Sequence, residues 1–385
     1  MTEGHRVADV SAFVGPFGQS PDDYAVCTLD ASGTVTSWNH GAERILGAAA
    51  AERTGGVAEF YTPEQIADGH PEKLLEQARE QGSHVDEGWR VREDGRWFWA
   101  NVVTTALWSP DGDLRGYARL TRDDTTVHQQ LEIELRDAID DDALTLHYQP
   151  VVAADGTIRT CESLLRWEHP ERGLLSPGTI LPVAERAGML ADLDAWVLGR
   201  ALRDAAAWPV PPGGKPVSVA VNVAELMPGD PAFNQLLERL VSETGIAWDR
   251  IIIELVETAI VDVPSRMHDS MNDLRTLGVR FSIDDFGTGY SSLTRVRDFP
   301  AQAIKIDRTF VQDITTSRVD RMLVSTITDL AAALDCVTVA EGVETREQFE
   351  ILRSMEVDAY QGWLFSKAVP GLDLAQLIEA GPIPR

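Results

Sequence analysis

The chain has 385 residues, of which 44% are hydrophobic and 25% are charged. Because a single core rarely grows beyond about 250 to 300 residues, this length predicts two domains. No apolar run approaches the roughly 20 residues that a transmembrane helix needs, so we expect no membrane insertion. The net charge of −27 argues against binding to DNA or RNA polymers, since such binding needs basic surfaces that displace counterions.

The N-terminal residues and the cysteines predict the compartment. The first residues, MTEGHRVADVSAF, lack the basic stretch and the following apolar segment of a secretion signal. Cys27, Cys161 and Cys336 lie far apart and form neither a CxxC pair nor a disulfide framework. We therefore expect a cytoplasmic protein whose cysteines are reduced and buried.

Residues 20–124 predict an α+β domain. Its β-type segments are YAVCTLD, GTVTSWN, DEGWRVRED, RWFWANVVTTALW and LRGYARLTRD, and its helical segments are GAERILG and PEKLLEQAREQG. Two of the connecting turns contain Asp-Gly, the dipeptide that favours tight hairpins. The pattern indicates an antiparallel sheet with short helices between its strands.

Residues 125–141 predict a linker helix. Leu131, Leu135, Ala138 and Ile139 recur at helical spacing and would form one apolar face. The helix could pair with a second copy in a parallel coiled coil, or it could pack on a neighbouring domain. Because an exposed apolar face needs a partner, we expect a homodimer.

Residues 142–382 predict an α/β barrel. Eight β-type segments alternate with helical ones, which is typical of a (β/α)8 fold: LTLHYQPVV, RTCESLLRW, VSVAVNV, RIIIELVE, RFSIDDF, AIKID, VTVAEGV and AYQGWLF. The first two segments are joined only by AADG, whereas a parallel crossover needs a dozen or more residues. We therefore expect a modified TIM barrel whose first strand is antiparallel.

Polar side chains recur where these strands end. Since the C-terminal strand ends of such a barrel converge at one mouth, these groups should meet there. They are Glu162, Asn222, Glu254, Glu257, Asp284, Asp285, Lys305, Asp307, Glu341, Glu344 and Gln361. Each alone could be an ordinary strand-end group, but their recurrence in register favours a site. Oxygen ligands without a histidine or cysteine cluster suit Mg²⁺ or Mn²⁺ and disfavour zinc.

Two such ions about 4 Å apart would bind a phosphate oxygen and generate a hydroxide for attack on a phosphodiester. They would also explain the adjacent carboxylates Asp284 and Asp285 in RFSIDDFGTGYSS, which repel each other unless cations or protons compensate them. The alternative is that one aspartate caps a helix and the other is solvated.

Eight motifs occur in a characteristic order: YQPVV, ESLLRWEHPERG, VNV, ELVET, DDFGTGYSS, KID, AEGVET and QGWLFSK. From about Leu131 to Leu377 the chain thereby resembles the EAL-domain phosphodiesterases, which hydrolyse cyclic di-GMP to linear pGpG. The resemblance implies a TIM-like barrel with an antiparallel first strand and two Mg²⁺ or Mn²⁺ ions in the active site.

The same resemblance implies roles for individual residues. The metal ligands would be Glu162, Asn222, Glu254 and Asp284 for the first ion and Asp285 for the second. Four residues would be catalytic. Lys305 would orient or activate the attacking water, and Glu341 would be a general base or a holder of the water network. Gln361 would position water, and Glu257 would brace the loop from Phe286 to Ser292. The substrate-binding residues would be Gln149, Arg166 and Asp307.

The departures from the family motifs are modest. Ser163 replaces an alanine in the name motif, and Ala224 replaces a serine, which would remove a helix cap and loosen the loop after VNV. The proposed metal-binding residues are all present, so an active enzyme is favoured over a catalytically silent receptor that only binds the dinucleotide. No GGDEF segment lies between the two halves, so synthesis of the dinucleotide is not expected.

From about Asp22 to Thr126 the chain resembles a PAS sensor domain, through TVTSWNHGAERILG, REDGRWFWANV and YARLTRDDT. The resemblance implies a fold and leaves the ligand unknown. The flavin-binding cysteine motif is absent, because Cys27 lies on the first strand. His70 lies near the position of a haem ligand in some PAS domains, but a surface histidine is the favoured interpretation.

Overall fold

A computed structural model describes residues 23–47, 56–261, 265–287 and 293–383. The chain divides into two units, with the boundary between Ile133 and Glu134. That boundary lies inside the helix α4, defined below, so the predicted domain limits of 124/125 and 141/142 stay predictions.

The first unit contains a five-stranded antiparallel sheet in the order β2-β1-β5-β4-β3. Its strands are β1 (Ala25–Leu29), β2 (Val35–Trp38), β3 (Ser83–Val91), β4 (Trp97–Trp108) and β5 (Leu114–Asp123). The helices α1 (His40–Leu46), α2 (Pro63–Ala67) and α3 (His70–Gln81) lie between β2 and β3 in the chain, with a 3₁₀ turn at Val57–Phe60. Strict alternation along β4 buries Phe98, Ala100 and Val102 on one face, as a sheet covered on one side requires.

Two sequence expectations fall in this unit. Cys27 lies on β1 and is buried, as predicted. His70 is the first residue of α3; its Nε2 lies 3.4 Å from Oδ1 of Asp86, and its ring packs edge-on against Tyr61. These contacts agree with a structural role for His70.

The helix α4 (Thr125–Asp140) occupies the predicted linker. Leu135 and Ala138, which belong to the second unit, are buried within the single chain. This part of the apolar face is therefore not an exposed stripe that needs a second copy. The homodimer stays a prediction, without the support that the stripe was expected to give.

The second unit is a closed eight-stranded barrel, as predicted. The closed order is β6-β14-β13-β12-β11-β10-β9-β7, and β7 pairs back with β6. The strands are β6 (Leu144–Ala153), β7 (Ile158–His169), β9 (Ser218–Asn222), β10 (Ile251–Val256), β11 (Arg280–Phe286), β12 (Ala303–Ile306), β13 (Val337–Ala340) and β14 (Ala359–Tyr360). Two short strands that the sequence did not predict extend the sheet, β8 (Gly173–Leu175) and β15 (Val369–Pro370).

The first barrel strand has the predicted direction. β6 is antiparallel to both β7 and β14, and the other neighbouring strands of the barrel pair in parallel. The hairpin joining β6 and β7 contains Gly156, whose φ of 86° suits a residue without a Cβ.

Helices connect the parallel strands of the barrel, and a last helix follows the final strand. They are α5 (Pro177–Arg186), α6 (Leu190–Ala207), α7 (Pro231–Thr244), α8 (Glu257–Val261), α9 (Ser265–Leu277), α10 (Leu293–Asp298), α11 (Arg308–Gln312), α12 (Arg318–Ala333), α13 (Arg346–Ser354) and α14 (Gly371–Ala380), with a 3₁₀ turn at Trp248–Arg250 before β10. The start of α13 shows how local sequence fixes such an element: Thr345 and Gln348 form a reciprocal capping box. Within the described parts of the chain, no helix has both the length and the apolar character needed to cross a bilayer.

The strand register brings the predicted polar residues to one mouth of the barrel. Gln149 on β6 pairs with Glu162 on β7, and Asn222 on β9 pairs with Glu254 on β10. Because neighbouring parallel strands point their C-terminal ends the same way, the polar groups of the other strands reach the same end.

Candidate active site

A buried lysine at the end of β12 forms the centre of the site. The side chain of Lys305 is 2% exposed, and its ammonium lies close to four carboxylate oxygens from four other strands or strand ends. Its Nζ is 3.2 Å from Glu162, 3.1 Å from Glu254, 3.1 Å from Asp284 and 2.6 Å from Glu341. The barrel register thus brings together side chains that lie up to 179 positions apart, the separation between Glu162 and Glu341 (341 minus 162).

Three amide side chains complete one side of the cluster. Asn222 Nδ2 donates to Glu162 Oε1 at 2.8 Å, and Gln361 Nε2 donates to Glu162 Oε2 at 2.7 Å. Gln361 Nε2 also lies 3.1 Å from Gln149 Oε1, and Gln149 Nε2 donates to the carbonyl of Ser366 at 3.1 Å. Glu162 therefore accepts hydrogen bonds from the amides of Asn222 and Gln361 and from the ammonium of Lys305.

The backbone changes direction at the end of β11. Asp285 has a φ of 52°, in the left-handed region, and its N–H donates to Oδ1 of Asp284 at 3.0 Å. In a regular strand, consecutive side chains point to opposite faces. Here the carboxylates of Asp284, Asp285 and Glu341 offer oxygens that lie within 4.8 Å of one another. The left-handed backbone conformation of Asp285 thus allows the carboxylates of two adjacent aspartates to lie at the same mouth of the barrel.

The electrostatics of the cluster are dominated by burial and by like charges. Burial raises the pKa of Glu341 to about 8, and neighbouring carboxylates add to that effect. Burial also raises the pKa of Glu254 well above its ordinary value. Burial acts in the same direction on Glu162, but Lys305 and the amides of Gln361 and Asn222 hold its pKa below the ordinary value. One ammonium therefore does not compensate the whole cluster, and a cation would favour its ionised form.

The residues fit divalent metal ions on three observations. The donor set consists of oxygens, which hard cations such as Mg²⁺ and Mn²⁺ prefer. Two groups of carboxylates each offer oxygens within 4.8 Å of one another, namely Glu162 with Glu254 and Asp284, and Asp284 with Asp285 and Glu341. In addition, Oε1 of Gln361 is buried and has no hydrogen-bond partner among the described residues. A buried polar atom of this kind needs a partner that the protein itself does not supply.

Three further predicted residues lie around the cluster. Glu257, at the start of α8, is buried and accepts a 2.7 Å hydrogen bond from the N–H of Gly287. Gly287 has a φ of 98°, and a Cβ there would lie 2.8 Å from the ring of Phe310. Asp307 caps α11 by accepting from the N–H of Thr309 at 3.0 Å. Glu257 thus holds the start of the expected loop, whose other glycine, Gly289, lies outside the described residues.

Arg166 lies four residues after Glu162 on β7 and is half-buried. One guanidinium nitrogen donates to the carbonyl of Leu165 at 2.8 Å. Burial lowers the pKa of Arg166, against the influence of Glu162. By contrast, Glu344 is exposed, and its backbone N–H bonds to Gln348 in the capping box.

The structure also shows a residue that sequence reasoning missed. Asp194 on α6 is buried, and its carboxylate accepts from the N–H groups of Ala224, Glu225 and Leu226 at 2.7 to 3.1 Å. The loop after Asn222 is therefore held by Asp194. Ala224 has no side-chain acceptor, and Asp194 on a distant helix supplies one, so the expectation that Ala224 loosens this loop stays a prediction.

Comparisons with known proteins agree with this geometry. The EAL domain model matches residues 132–368, and the PAS fold model matches residues 23–123. The cyclic di-GMP phosphodiesterase NbdA of Pseudomonas aeruginosa is 40% identical over 256 residues, which cover 66% of this chain and 33% of NbdA. The cyclic di-GMP phosphodiesterase PdeR of Escherichia coli is 35% identical over 242 residues, which cover 63% of this chain and 36% of PdeR. The chain thus spans about a third of the length of these curated relatives.

Solved structures show the same barrel. The PaMucR phosphodiesterase in complex with c-di-GMP has a TM-score of 0.59 and 36% identity, and it covers 64% of this chain and 99% of its own. The EAL domain of DcpA from Mycobacterium smegmatis has a TM-score of 0.53 and 27% identity, over 63% of this chain and 99% of its own. The EAL domain model matches more than half of this chain. The chain therefore belongs to the EAL-domain family, and a PAS fold precedes its barrel.

Proposed function

We propose that the chain hydrolyses cyclic di-GMP to linear pGpG at the carboxylate cluster, with two Mg²⁺ or Mn²⁺ ions and under the control of the PAS unit. NbdA and PdeR are named cyclic di-GMP phosphodiesterases, and PaMucR was solved with the dinucleotide. The observation that carries the proposal is that Asp284 belongs to both carboxylate groups. A shared carboxylate between two oxygen-rich groups suits a pair of ions.

The first ion would be held by Glu162, Asn222, Glu254 and Asp284, and the second by Asp285 with Asp284. Bound there, the ions would supply Lewis acidity for the phosphate and activation of the attacking water. The cluster consists mainly of carboxylates, and phosphate is an anion, so the ions would also remove the charge repulsion between site and substrate.

The residues of the chain then have distinct tasks. Lys305, next to Glu341 and Asp284, would orient the attacking water and stabilise negative charge on the phosphate. Glu341 would accept a proton or hold the water, and the buried Oε1 of Gln361 would accept a hydrogen bond from it. The water oxygen forms a bond to phosphorus, the bond from phosphorus to O3′ breaks, and O3′ gains a proton. One water is consumed, and the product is linear pGpG.

Substrate binding would fall to Gln149, Arg166 and Asp307. The guanidinium of Arg166 can donate to a phosphate or to the acceptor edge of guanine. Glu257 would act indirectly, by holding Gly287, two residues after Asp285.

The test is direct incubation of the purified protein with cyclic di-GMP and Mg²⁺ or Mn²⁺, followed by chromatography. We expect pGpG with either ion and none in EDTA. Glu162→Gln should lose at least about 100-fold in turnover, whereas Glu168→Gln, an exposed position on the same strand, should keep it. Tight binding of cyclic di-GMP without product would instead identify a silent receptor. Robust turnover by Glu162→Gln would remove Glu162 from the ligands.

Regulation by the PAS unit, with α4 as the connection, is the remaining part of the proposal. A visible absorption spectrum of the purified protein tests for a chromophore. Light scattering across a concentration series tests the expected homodimer. A monomer with full activity at every concentration would contradict the dimer.

A further inference from the structure

The barrel contains a cavity below the carboxylate cluster, on the side away from the catalytic mouth. Its volume is about 370 Å³, and Glu254 and Lys305 line its inner end. TIM barrels are normally filled at this level by bulky branched side chains. Here five residues of the wall are small, and they leave the space open: Ala153, Thr160, Ser282, Ala303 and Ala359. We call this space the axial cavity.

The axial cavity opens at the N-terminal ends of the strands. Arg159, Thr160 and Arg280 line both the axial cavity and a larger depression of about 980 Å³, here called the basal vestibule. Val337, at the start of β13, lines the axial cavity and is 49% exposed. The two spaces are therefore adjacent, and the lower end of the axial cavity is accessible from outside.

The basal vestibule is basic although the chain as a whole is strongly acidic. Its described lining includes Arg159, Lys215, Arg250 and Arg280, against one carboxylate, Asp249. In a chain with a net charge of −27, this local excess of positive charge is unusual.

The two inner arginines bond mainly to neutral acceptors. Arg250 donates to the carbonyls of Val217 at 3.0 Å and Ala205 at 2.6 Å. Arg280 donates to the hydroxyl of Ser218 at 2.6 Å and to the carbonyl of Asp249 at 3.1 Å. Burial lowers the pKa of both arginines, while the charge of Asp249 opposes this effect. An anion in the vestibule would relieve the cost of holding these charges away from water.

Other charged and polar groups near the opening are already bonded. The carboxylate of Asp358 accepts from the N–H of Thr338 at 2.8 Å and from its hydroxyl at 3.0 Å. The amide of Gln302 accepts from Phe281 and donates to Pro300. Asp155 lies near Arg159 and is exposed. The wall between the opening and Lys305 is otherwise mainly apolar, with Val151, Ile252 and Val339.

We propose that the axial cavity and the basal vestibule form a second ligand site, which takes an organic anion with an apolar body. The acidic head would lie at Arg159 and Arg280, and the body would lie among the apolar side chains inside the barrel. The volume falls in the range of about 300 to 1,000 Å³ found for small-molecule sites, which are mostly apolar with a few polar anchors. The inner end of the ligand would contact Lys305 and Glu254 from below, so its binding would reach the floor of the catalytic cluster.

The experiment uses octanoate as the probe and isothermal titration calorimetry of the full chain in EDTA. Without metal ions, the carboxylates at the catalytic mouth repel anions, which restricts octanoate to the basal end. Acetate carries the same head without the body, and octylamine carries the same body with a cationic head. We expect octanoate to bind at least about tenfold more tightly than either. Because no activity is measured, the result does not depend on the proposed phosphodiesterase reaction.

Two variants locate the site. Arg159→Glu reverses the charge of an exposed side chain at the opening and should weaken octanoate at least about tenfold. Arg172→Glu makes the same change at an exposed turn between β7 and β8 and should leave binding unchanged. Ala303→Leu fills the axial cavity and should abolish binding, with a thermal unfolding midpoint measured alongside to show that the barrel is folded.

Three results would overturn the proposal. The first is no heat of binding from octanoate up to its solubility limit. The second is equal affinity for octylamine, which would remove the anionic head from the ligand class. The third is unchanged affinity in Arg159→Glu, which tests the site even if Ala303→Leu fails to fold.

Discussion

Nζ of Lys305 lies 2.6 Å from Oε1 of Glu341, the shortest of the four contacts that join this ammonium to carboxylates. The pair connects the ends of the adjacent strands β12 and β13. Both side chains are in the part of the mouth where the proposed hydrolysis takes place. The lysine is therefore a structural counter-charge as well as a proposed catalytic group.

Removing this counter-charge should destabilise the metal-free protein. Lys305→Met leaves the buried carboxylates without their cation, and breaking a buried ion pair costs about 3 to 5 kcal/mol. Urea unfolding in EDTA should show a loss of that size in the free energy of unfolding. Millimolar Mg²⁺ should recover part of it, since bound ions would replace the missing charge.

Lys73→Met is the matched control, because Lys73 is exposed on α3. It should change the free energy of unfolding by less than about 0.5 kcal/mol. An equal loss in both variants, or no effect of Mg²⁺ on Lys305→Met, would contradict the role given to the cluster.

Asp285 should decide how many ions are bound. Asparagine tolerates the left-handed backbone conformation that Asp285 adopts, so Asp285→Asn removes a charge with little backbone strain. Mn²⁺ binding followed by electron paramagnetic resonance should show one ion fewer per chain than in the unmodified protein. Asp313→Asn, at an exposed position, should bind the full number. Unchanged stoichiometry in Asp285→Asn would remove Asp285 from the ligands.

Asp194 should stabilise the loop that follows Asn222. Asp194→Ala leaves the N–H groups of Ala224, Glu225 and Leu226 without their acceptor. Thermal or urea unfolding should show a loss of about 1 to 3 kcal/mol, and turnover should fall because Asn222 is less well held. Asp192→Ala, an exposed position on the same helix, should cost less than about 1 kcal/mol.

Cys27 and Cys161 are buried, as predicted, and should be protected in the folded protein. Cys336 is only partly buried, so the prediction is wrong for that residue. Burial raises the pKa of Cys27 to about 11 and also raises the pKa of Cys161, so little thiolate exists at pH 8. Both residues should resist a thiol reagent at pH 8 and react after unfolding in urea. Because the folded-state pKa of Cys27 exceeds its unfolded value of 9.0, its contribution to stability is present below pH 9 and is lost as the pH rises towards 11. Rapid labelling of Cys27 in the native protein would contradict this.

Much of the barrel could be predicted because its signals are local. The eight β-type segments correspond to eight barrel strands, and the short AADG connection required β6 to be antiparallel to β7. Polar residues at the strand ends were informative because neighbouring parallel strands end at the same mouth. The positions of Glu162, Glu254, Asp284 and Glu341 around Lys305 follow from that rule.

The contacts that sequence reasoning missed depend on elements that are distant in the chain. Asp194 lies in the middle of a helical pattern, and its partners are 30 to 32 residues away. β8 and β15 are only three and two residues long, too short to show a period. The axial cavity results from small residues on several strands, none of which is unusual on its own strand.

The reversed direction of β6 determines where the chain enters the barrel. Leu144, its first residue, pairs with Trp167 near the end of β7, and Glu134 of α4 bonds to His169 at 2.8 Å. In an ordinary (β/α)8 chain the polypeptide would enter at the opposite end from the catalytic residues. Here the first barrel strand begins beside the catalytic rim, and Gln149 lies five residues after Leu144 on that same strand.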